Sequence, residues 1–502
     1  MSATVLGIDI GTSGSRALLV GENGSILGSA TAENPPFVSR QAAWAEQDPE
    51  DWWSGCQKAV RAVLSGSEIS PAQIACVGLS GQMHGTVVLD ETGTVLRPAI
   101  IWCDQRGEED ARWLEETVGA GRLLNLTSNP ALTNFTLIKL LWLRRSEPET
   151  WRRVRHLLLP KDYVRFCLSG EYAIDLAEAS GTLLLDVNHR RWSEELMDAV
   201  GIHRDILPRL FESPEICACV SRGAAELTGL LEGTPIVAGA GDQAAGAVGI
   251  GLTHAGTAGA TIGTSGVVFA ATDQPVLDPK GRLHTFCHAI PGRWHVMGVT
   301  QAAGLSLRWF RDNFTARGED YSQLVEEAAQ APPGSDGVLW APYLMGERTP
   351  YRDPNIRGGL IGLAAHHTSA HVIRAILEGV AFSLRDTFTI FSELEVPVEQ
   401  IRLSGGGARS PLWRQIQADI FGRSVQTVQT EEGAAFGAAL LAGVGAGFWN
   451  SVDEACTAVV RVAESVDFRP EVSNLMEQRY HHYRRLYPAL HSVFANHSHA
   501  PI

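Results

Sequence analysis

Ile10-Gly11-Thr12-Ser13-Gly14 and Ile262-Gly263-Thr264-Ser265-Gly266 are the same five letters, 252 residues apart in a chain of 502. Each copy sits between β-rich segments. Val5 to Ile10 precedes the first and Arg16 to Val20 follows it; Gly259 to Thr261 precedes the second and Val267 to Ala270 follows it. A glycine-bounded turn between strands lets successive N–H groups converge on one anion, and Thr and Ser hydroxyls add donors with little bulk. Asp9, directly before the first turn, would repel a phosphate unless a cation lay between, which points to Mg2+ held there through water. No GxxxxGK[ST] run is present, and each turn leads into a strand rather than a helix, so these are not P-loops. Length alone suggests about three domains. The half-length offset predicts two related α/β lobes instead, 1–246 and 247–502, each built around one turn.

Outward from the first turn, Asn23-Gly24 predicts a tight turn and a third meander strand. Asp48 as N-cap and Pro49 at the first helical position open a helix, with Trp52, Cys56, Ala59, Val60, Val63 and Leu64 on its buried face. Ile74 to Leu79 is a strand that ends in Ser80-Gly81-Gln82-Met83-His84-Gly85. Another strand, Ile236 to Ala238, leads into Gly239-Ala240-Gly241-Asp242-Gln243. A carboxylate at a strand tip beside a phosphate site can accept the proton of an attacking hydroxyl; Asp242 can equally cap a helix through Val248. Ile401 to Leu403 runs into Ser404-Gly405-Gly406-Gly407-Ala408-Arg409, where three glycines offer bare backbone to a flat base or ribose. Met83-His84 and Trp102-Cys103-Asp104-Gln105-Arg106 can line a polar pocket. The pairs His284/His288 and His367/His371 have the spacing of metal ligands on a helix but lack a third partner.

Composition narrows the classes. There are 41 basic and 56 acidic residues, a net charge of −15, and no basic run, which argues against a general nucleic-acid binder. The opening MSATVLGIDI has no basic segment ahead of an apolar one, so no secretory leader is expected. Gln243 to Thr272 carries no formal charge, but seven glycines, several threonines and His254 make it too polar for a lipid-facing helix. Eight scattered cysteines without a CxxC pair support neither a zinc ribbon nor a disulfide framework, and a reducing cytoplasm is expected.

These motifs together resemble the FGGY carbohydrate kinases of the actin–hexokinase–Hsp70 superfamily, essentially from end to end. Gly7 to Gly14 is similar to the family's first phosphate motif, Ala260 to Gly266 to its second, and Ser404 to Arg409 to its adenosine loop. Thr136 to Leu143 resembles one family signature, although Asn134 stands where Gly or an aromatic is commoner; Gly358 to Glu378 resembles the other. Ser80 to Gly85, Trp44 to Pro49 and Tyr343 to Pro350 look like the xylulose-kinase branch. The resemblance implies two ribonuclease-H-like lobes, each a five-stranded mixed sheet flanked by helices, with the active site in the cleft between them. Sugar would bind mainly to the N-terminal lobe and ATP to the C-terminal one. It implies ATP and Mg2+ as cofactors, Asp242 as general base toward the terminal hydroxyl of D-xylulose, and Asp9 as the metal-holding residue. Met83, His84, Trp102, Asp104, Arg106, Asp242 and Gln243 would meet the sugar. Gly11, Thr12, Ser13, Gly263, Thr264, Ser265, Gly405, Gly406, Gly407 and Ala408 would meet the nucleotide. Gln243 replaces the family's usual Asn, and its extra methylene shifts the hydroxyl it reaches. This leaves another ketose or polyol (ribulose, glycerol, a sugar alcohol) as the alternative substrate. A regulator that kept the clamp but lost transfer is disfavoured, because Asp9, both turns and Asp242 are all present. Neither nucleic acid nor membrane is an expected partner, and members of the family are often homodimers.

Overall fold

The opening meander forms as its turns dictate. Strands β1 (Thr4–Ile10), β2 (Gly14–Gly21) and β3 (Ile26–Glu33) pair antiparallel in chain order. The structure, a computed structural model, describes residues 3–315, 320–430 and 432–494. Helix α1 (Pro49–Ser65) begins where the sequence places it: the Asp48 side chain accepts from Glu50 N and Pro49 takes the first turn. Its Trp52, Cys56, Ala59 and Val60 pack on Leu6, Ile8 and Ile10 of β1. Then follow β4 (Ile74–Gly81), α2 (Thr136–Ser146), the short α3 (Leu176–Ser180), β5 (Ile216–Cys219), β6 (Pro235–Val237), β7 (Ala240–Gly241) and α4 (Asp242–Gly249). The sheet order is β5-β6-β4-β1-β2-β3, with β7 also pairing with β4.

The second half repeats the plan. It contains β8 (Gly256–Ile262), β9 (Gly266–Thr272), β10 (His284–Cys287), β11 (Trp294–Thr300), α5 (Gly304–Phe314), α6 (Ser369–Glu393), β12 (Val398–Gly405), α7 (Pro411–Phe421), β13 (Val425–Val428), α8 (Gly433–Gly445) and β14 (Val462–Val466). Its sheet runs β10-β11-β9-β8-β12-β13-β14. In the first sheet Ile10 lies opposite Ser15 of antiparallel β2 and Gly81 of parallel β4. In the second, Ile262 lies opposite Gly266 of antiparallel β9 and Gly405 of parallel β12. Both β1 and β8 also carry a register shift at their first pair, Thr4/Val5 and Gly256/Thr257. The five-letter repeat is therefore the visible part of a duplicated sheet.

Each sheet has seven strands among the described residues, against the five expected. The surplus includes short or marginal segments, such as the two-residue β7 and the exposed β14. Such segments carry too little alternation to announce themselves in sequence. The uncharged stretch Gln243 to Thr272 folds as most of α4 with β8 and β9. Among the described residues no helix is long and apolar enough to cross a membrane.

Helix α8 belongs to the second half by sequence but lies on the first sheet. Gly7 and Gly78 face the carbonyls of Ala435 and Ala438 so closely that any Cβ would overlap them. Gly437 meets Ala245 of α4 in the same way. These crossings seat α8 on the middle of β1 and β4 and against α4. Gly437→Ala must push α8 off α4, at a cost of about 1–3 kcal/mol; a lowered Tm in thermal denaturation is the expected reading.

Candidate active site

Register places the chemistry. Asp9 pairs with Ser80 on β4, and Gly241 pairs with Gly81, so the tips of β1, β4 and β7 lie side by side and Asp242 follows at the first residue of α4. Gly241, not Asp242, is the N-cap, and no side chain caps this helix. The Asp242 carboxyl therefore does not serve as a cap, and its hydrogen-bonding neighbour is Gln243. It lines a cleft of about 480 Å³ with Gln243, Thr261, Ser404, Gly405 and Gly433, residues drawn from both halves.

Both carboxyls are raised, chiefly by burial. Burial raises the Asp242 carboxyl to about 7, helped by the negative charge of Asp9. Burial likewise raises Asp9 to about 6, against the opposing pull of the nearby Ser80 hydroxyl and the Arg16 charge. Asp9 Oδ1 is buried without any hydrogen-bond partner. An unpartnered buried carboxylate oxygen beside a phosphate cradle fits a divalent cation. No three His, Cys, Asp or Glu side chains among the described residues are arranged to hold a metal. A cation at Asp9 would thus take most of its ligands from phosphate and water.

Each turn uses one of its own amides to close itself. Gly11 N donates to Gly14 O (2.9 Å) and Gly263 N to Ser265 O (3.0 Å), which closes each turn. The amides of Thr12, Ser13, Thr264 and Ser265 have no acceptor within the described residues and remain for an anion. A second cavity, about 790 Å³, opens beside the second turn. Gly263, Thr264, Gly406, Gly407, Tyr321 and Trp413 line it, with Leu307 and Pro411, an apolar slot with bare backbone suited to a purine nucleoside. Gly405 lines the cleft beside Asp242 instead. Ala408 lies in the core at 2 % exposure, its carbonyl accepting from Arg414, so it backs the slot without lining it.

On the N-terminal side the loops around the first turn are joined by one polar network that the sequence reading missed. Trp102 Nε1 donates to Thr12 Oγ1 (3.1 Å), which donates to Gln82 Oε1 (3.1 Å). Gln47 Nε2 donates to Thr12 O (2.9 Å), and Gln82 Nε2 to Gln47 Oε1 (3.2 Å). This ties the first turn to the Met83–His84 loop. His84 is buried, and its Nδ1 lies 2.7 Å from Gly181 O. A carbonyl only accepts, so Nδ1 carries the proton and Nε2 is the bare acceptor. Burial and the Lys139 charge hold its pKa well below the usual range, so the ring is neutral. Met83 packs beside Gly241, where a Cβ would strike its Cγ. Asp104 and Arg106 are braces: Arg106 binds Asp104 (Nη2 to Oδ2 2.7 Å) and Glu46 (2.7 Å) and stacks 3.7 Å over Trp44. Both side chains are about 1 % exposed, buried in this brace rather than presented to a ligand. The only sequence trace of Gln47, Glu46 and Gln82 is their position in the two loops Trp44 to Pro49 and Ser80 to Gly85.

Two duplicated sheets, a cleft with paired carboxylates, twin anion turns and a nucleoside slot define a phosphoryl-transfer enzyme of the two-lobed type. Models of the N-terminal and C-terminal domains of the FGGY family of carbohydrate kinases match residues 4–249 and 258–446, and the chain belongs to that family. It is 40 % identical over 475 residues to the xylulose kinase of Bacillus subtilis strain 168, covering 95 % of this chain and 94 % of that one. It is also 40 % identical over 443 residues to the xylulose kinase of Escherichia coli K12, covering 88 % and 90 %. The crystal structure of xylulose kinase from Rhodospirillum rubrum superposes with a TM-score of 0.90 at 29 % identity, over 98 % of this chain and all of that one.

Proposed function

We propose that the chain transfers the γ-phosphoryl group of ATP to the terminal O5 hydroxyl of D-xylulose, giving D-xylulose 5-phosphate and ADP. The observation that carries this reading is Asp242: an uncapped, near-neutral carboxyl in the cleft between the halves, with the nucleoside slot and the Met83–His84 loop near it. The choice of sugar leans on the two relatives named xylulose kinase and on Met83 and His84.

In the reaction the O5 lone pair forms the new bond to phosphorus in line as the bond to the bridging oxygen of ADP breaks. The O5 proton passes to the Asp242 carboxylate. With a pKa of about 7 this base is matched to neutral pH, unlike an ordinary aspartate. Thr12, Ser13, Thr264 and Ser265 offer amides to the phosphate oxygens. Mg2+ at Asp9 would supply neutralising charge to the phosphates. His84 Nε2 and the Gln243 amide select among sugar hydroxyls, while Trp102, Asp104 and Arg106 hold the wall that shapes the pocket. Lobes divided near residue 246, inside α4, would let Asp242 and Gln243 move with the strand tips as the cleft closes over ATP and excludes water. The eight free thiols suit a reducing cytoplasm.

A coupled ADP-release assay over ketoses, polyols and glycerol tests the assignment. The highest kcat/KM is expected for D-xylulose; a preference for ribulose, glycerol or a sugar alcohol would replace it.

A further inference from the structure

Helix α2 is buried along its first eight residues, Thr136 to Leu143, and Lys139 is the one charged residue among them. Lys139 is 1 % exposed and makes no ion pair among the described residues. Its Nζ instead donates to two main-chain carbonyls, His84 O at 2.6 Å and Asn134 O at 2.7 Å. Thr136 Oγ1 donates to the same His84 carbonyl at 3.2 Å. A buried ammonium with no carboxylate bound to it is costly, the nearby Asp104 charge offsetting the burial only in part, and an apolar residue of equal length would fit this apolar helix better. Burial pushes the Lys139 pKa down to about 7, which expresses that cost.

What Lys139 holds is unusual as well. His84 has φ +67°, a left-handed conformation disfavoured for a residue with a side chain. Such residues persist where neighbours over-determine them, and they cluster at ligand-contacting positions. His84 is fixed through its carbonyl by Lys139 and Thr136 and through its ring by Gly181 O. Phe135, the residue before α2, packs edge-on against the same ring at 5.0 Å between centroids.

We infer that Lys139 is a positioning residue for sugar binding: it locks the Met83–His84 loop in its strained form, so that His84 Nε2 is presented at a fixed place. This rests on the reading of that loop as the sugar-binding one. The helix segment Thr136 to Leu143 thereby gains a role, as the clamp behind the loop.

The test is steady-state kinetics on the full chain with D-xylulose and ATP. Lys139→Met keeps the stem and removes the donors. It is expected to raise KM for D-xylulose about tenfold, leave KM for ATP within twofold and leave Tm unchanged or higher. A merely structural lysine would instead lower Tm and move both constants together. Thr136→Val, a milder change at the same carbonyl, is expected to raise the sugar KM about threefold, and it decides the matter should Lys139→Met not fold. In a His84→Ala background either substitution is expected to lose most of its effect. Full additivity with His84→Ala, or an unchanged sugar KM in both variants, would overturn the inference. If His84→Ala itself leaves the sugar KM unchanged, the sugar-loop reading fails; if only His84→Ala raises it, the Lys139 inference alone fails.

Discussion

Asp242→Asn is expected to lower kcat by about 10²–10⁴-fold, the usual loss when a positioned general base is removed, while the dissociation constant for ATP changes little. The amide keeps the shape of the side chain and its place at the start of α4, but it cannot take the O5 proton. The same residue sets the acid limb of the pH profile. Its carboxyl is raised to about 7 by burial and by Asp9, so kcat/KM should rise with pH through about 7 and level off above it. Stability follows the opposite sign. Between the ordinary aspartate value of 3.8 and about 7 the folded protein binds a proton that the unfolded chain has lost, so Asp242 lowers stability progressively as pH rises through that window. Asp242→Asn should therefore melt at a higher temperature than the wild type at pH 8 and not at pH 4. Differential scanning calorimetry at the two pH values checks this.

Asp9→Asn is expected to cost about 10²–10³-fold in kcat, comparable with losing one charge-stabilising group at a reacting phosphate. Its unpartnered buried oxygen is the residue's claim to a cation, and an amide offers a weaker one. A second consequence is independent of any metal. Removing the Asp9 charge takes away the second cause of the raised Asp242 pKa, so the acid limb of kcat/KM should move to lower pH. A profile that loses amplitude without shifting would mean that the two carboxylates do not sense each other.

The fold was legible where the same letters met the same context twice. Ile10–Gly14 and Ile262–Gly266 announced two related lobes, and the structure extends the repeat to β4 and β12, whose ends, Ser80-Gly81 and Ser404-Gly405, also match. Asp242 could be singled out because it follows a strand tip, and the structure places it at the first residue of α4, where its side chain does not cap the helix. Other features depended on packing that no local pattern records. Which amides close a turn and which face outward is a matter of backbone angles, so Gly11 and Gly263 read as donors although they tie their own turns shut. Ala408 sits one residue beyond the bare glycines and turns into the core. The Thr12–Gln47–Gln82–Trp102 network joins residues 35 to 90 positions apart. The docking of α8 on the opposite lobe follows from glycines at Gly7, Gly78 and Gly437, each unremarkable in a chain with 51 of them.

The most direct test of the proposed activity is the product itself. Phosphorus and carbon NMR of the reaction of D-xylulose with ATP should show one sugar phosphate, with phosphorus coupled to C5 and one ADP formed per sugar consumed. Phosphate on any other oxygen, or ADP formed without a sugar phosphate, would contradict transfer to O5 under Asp242.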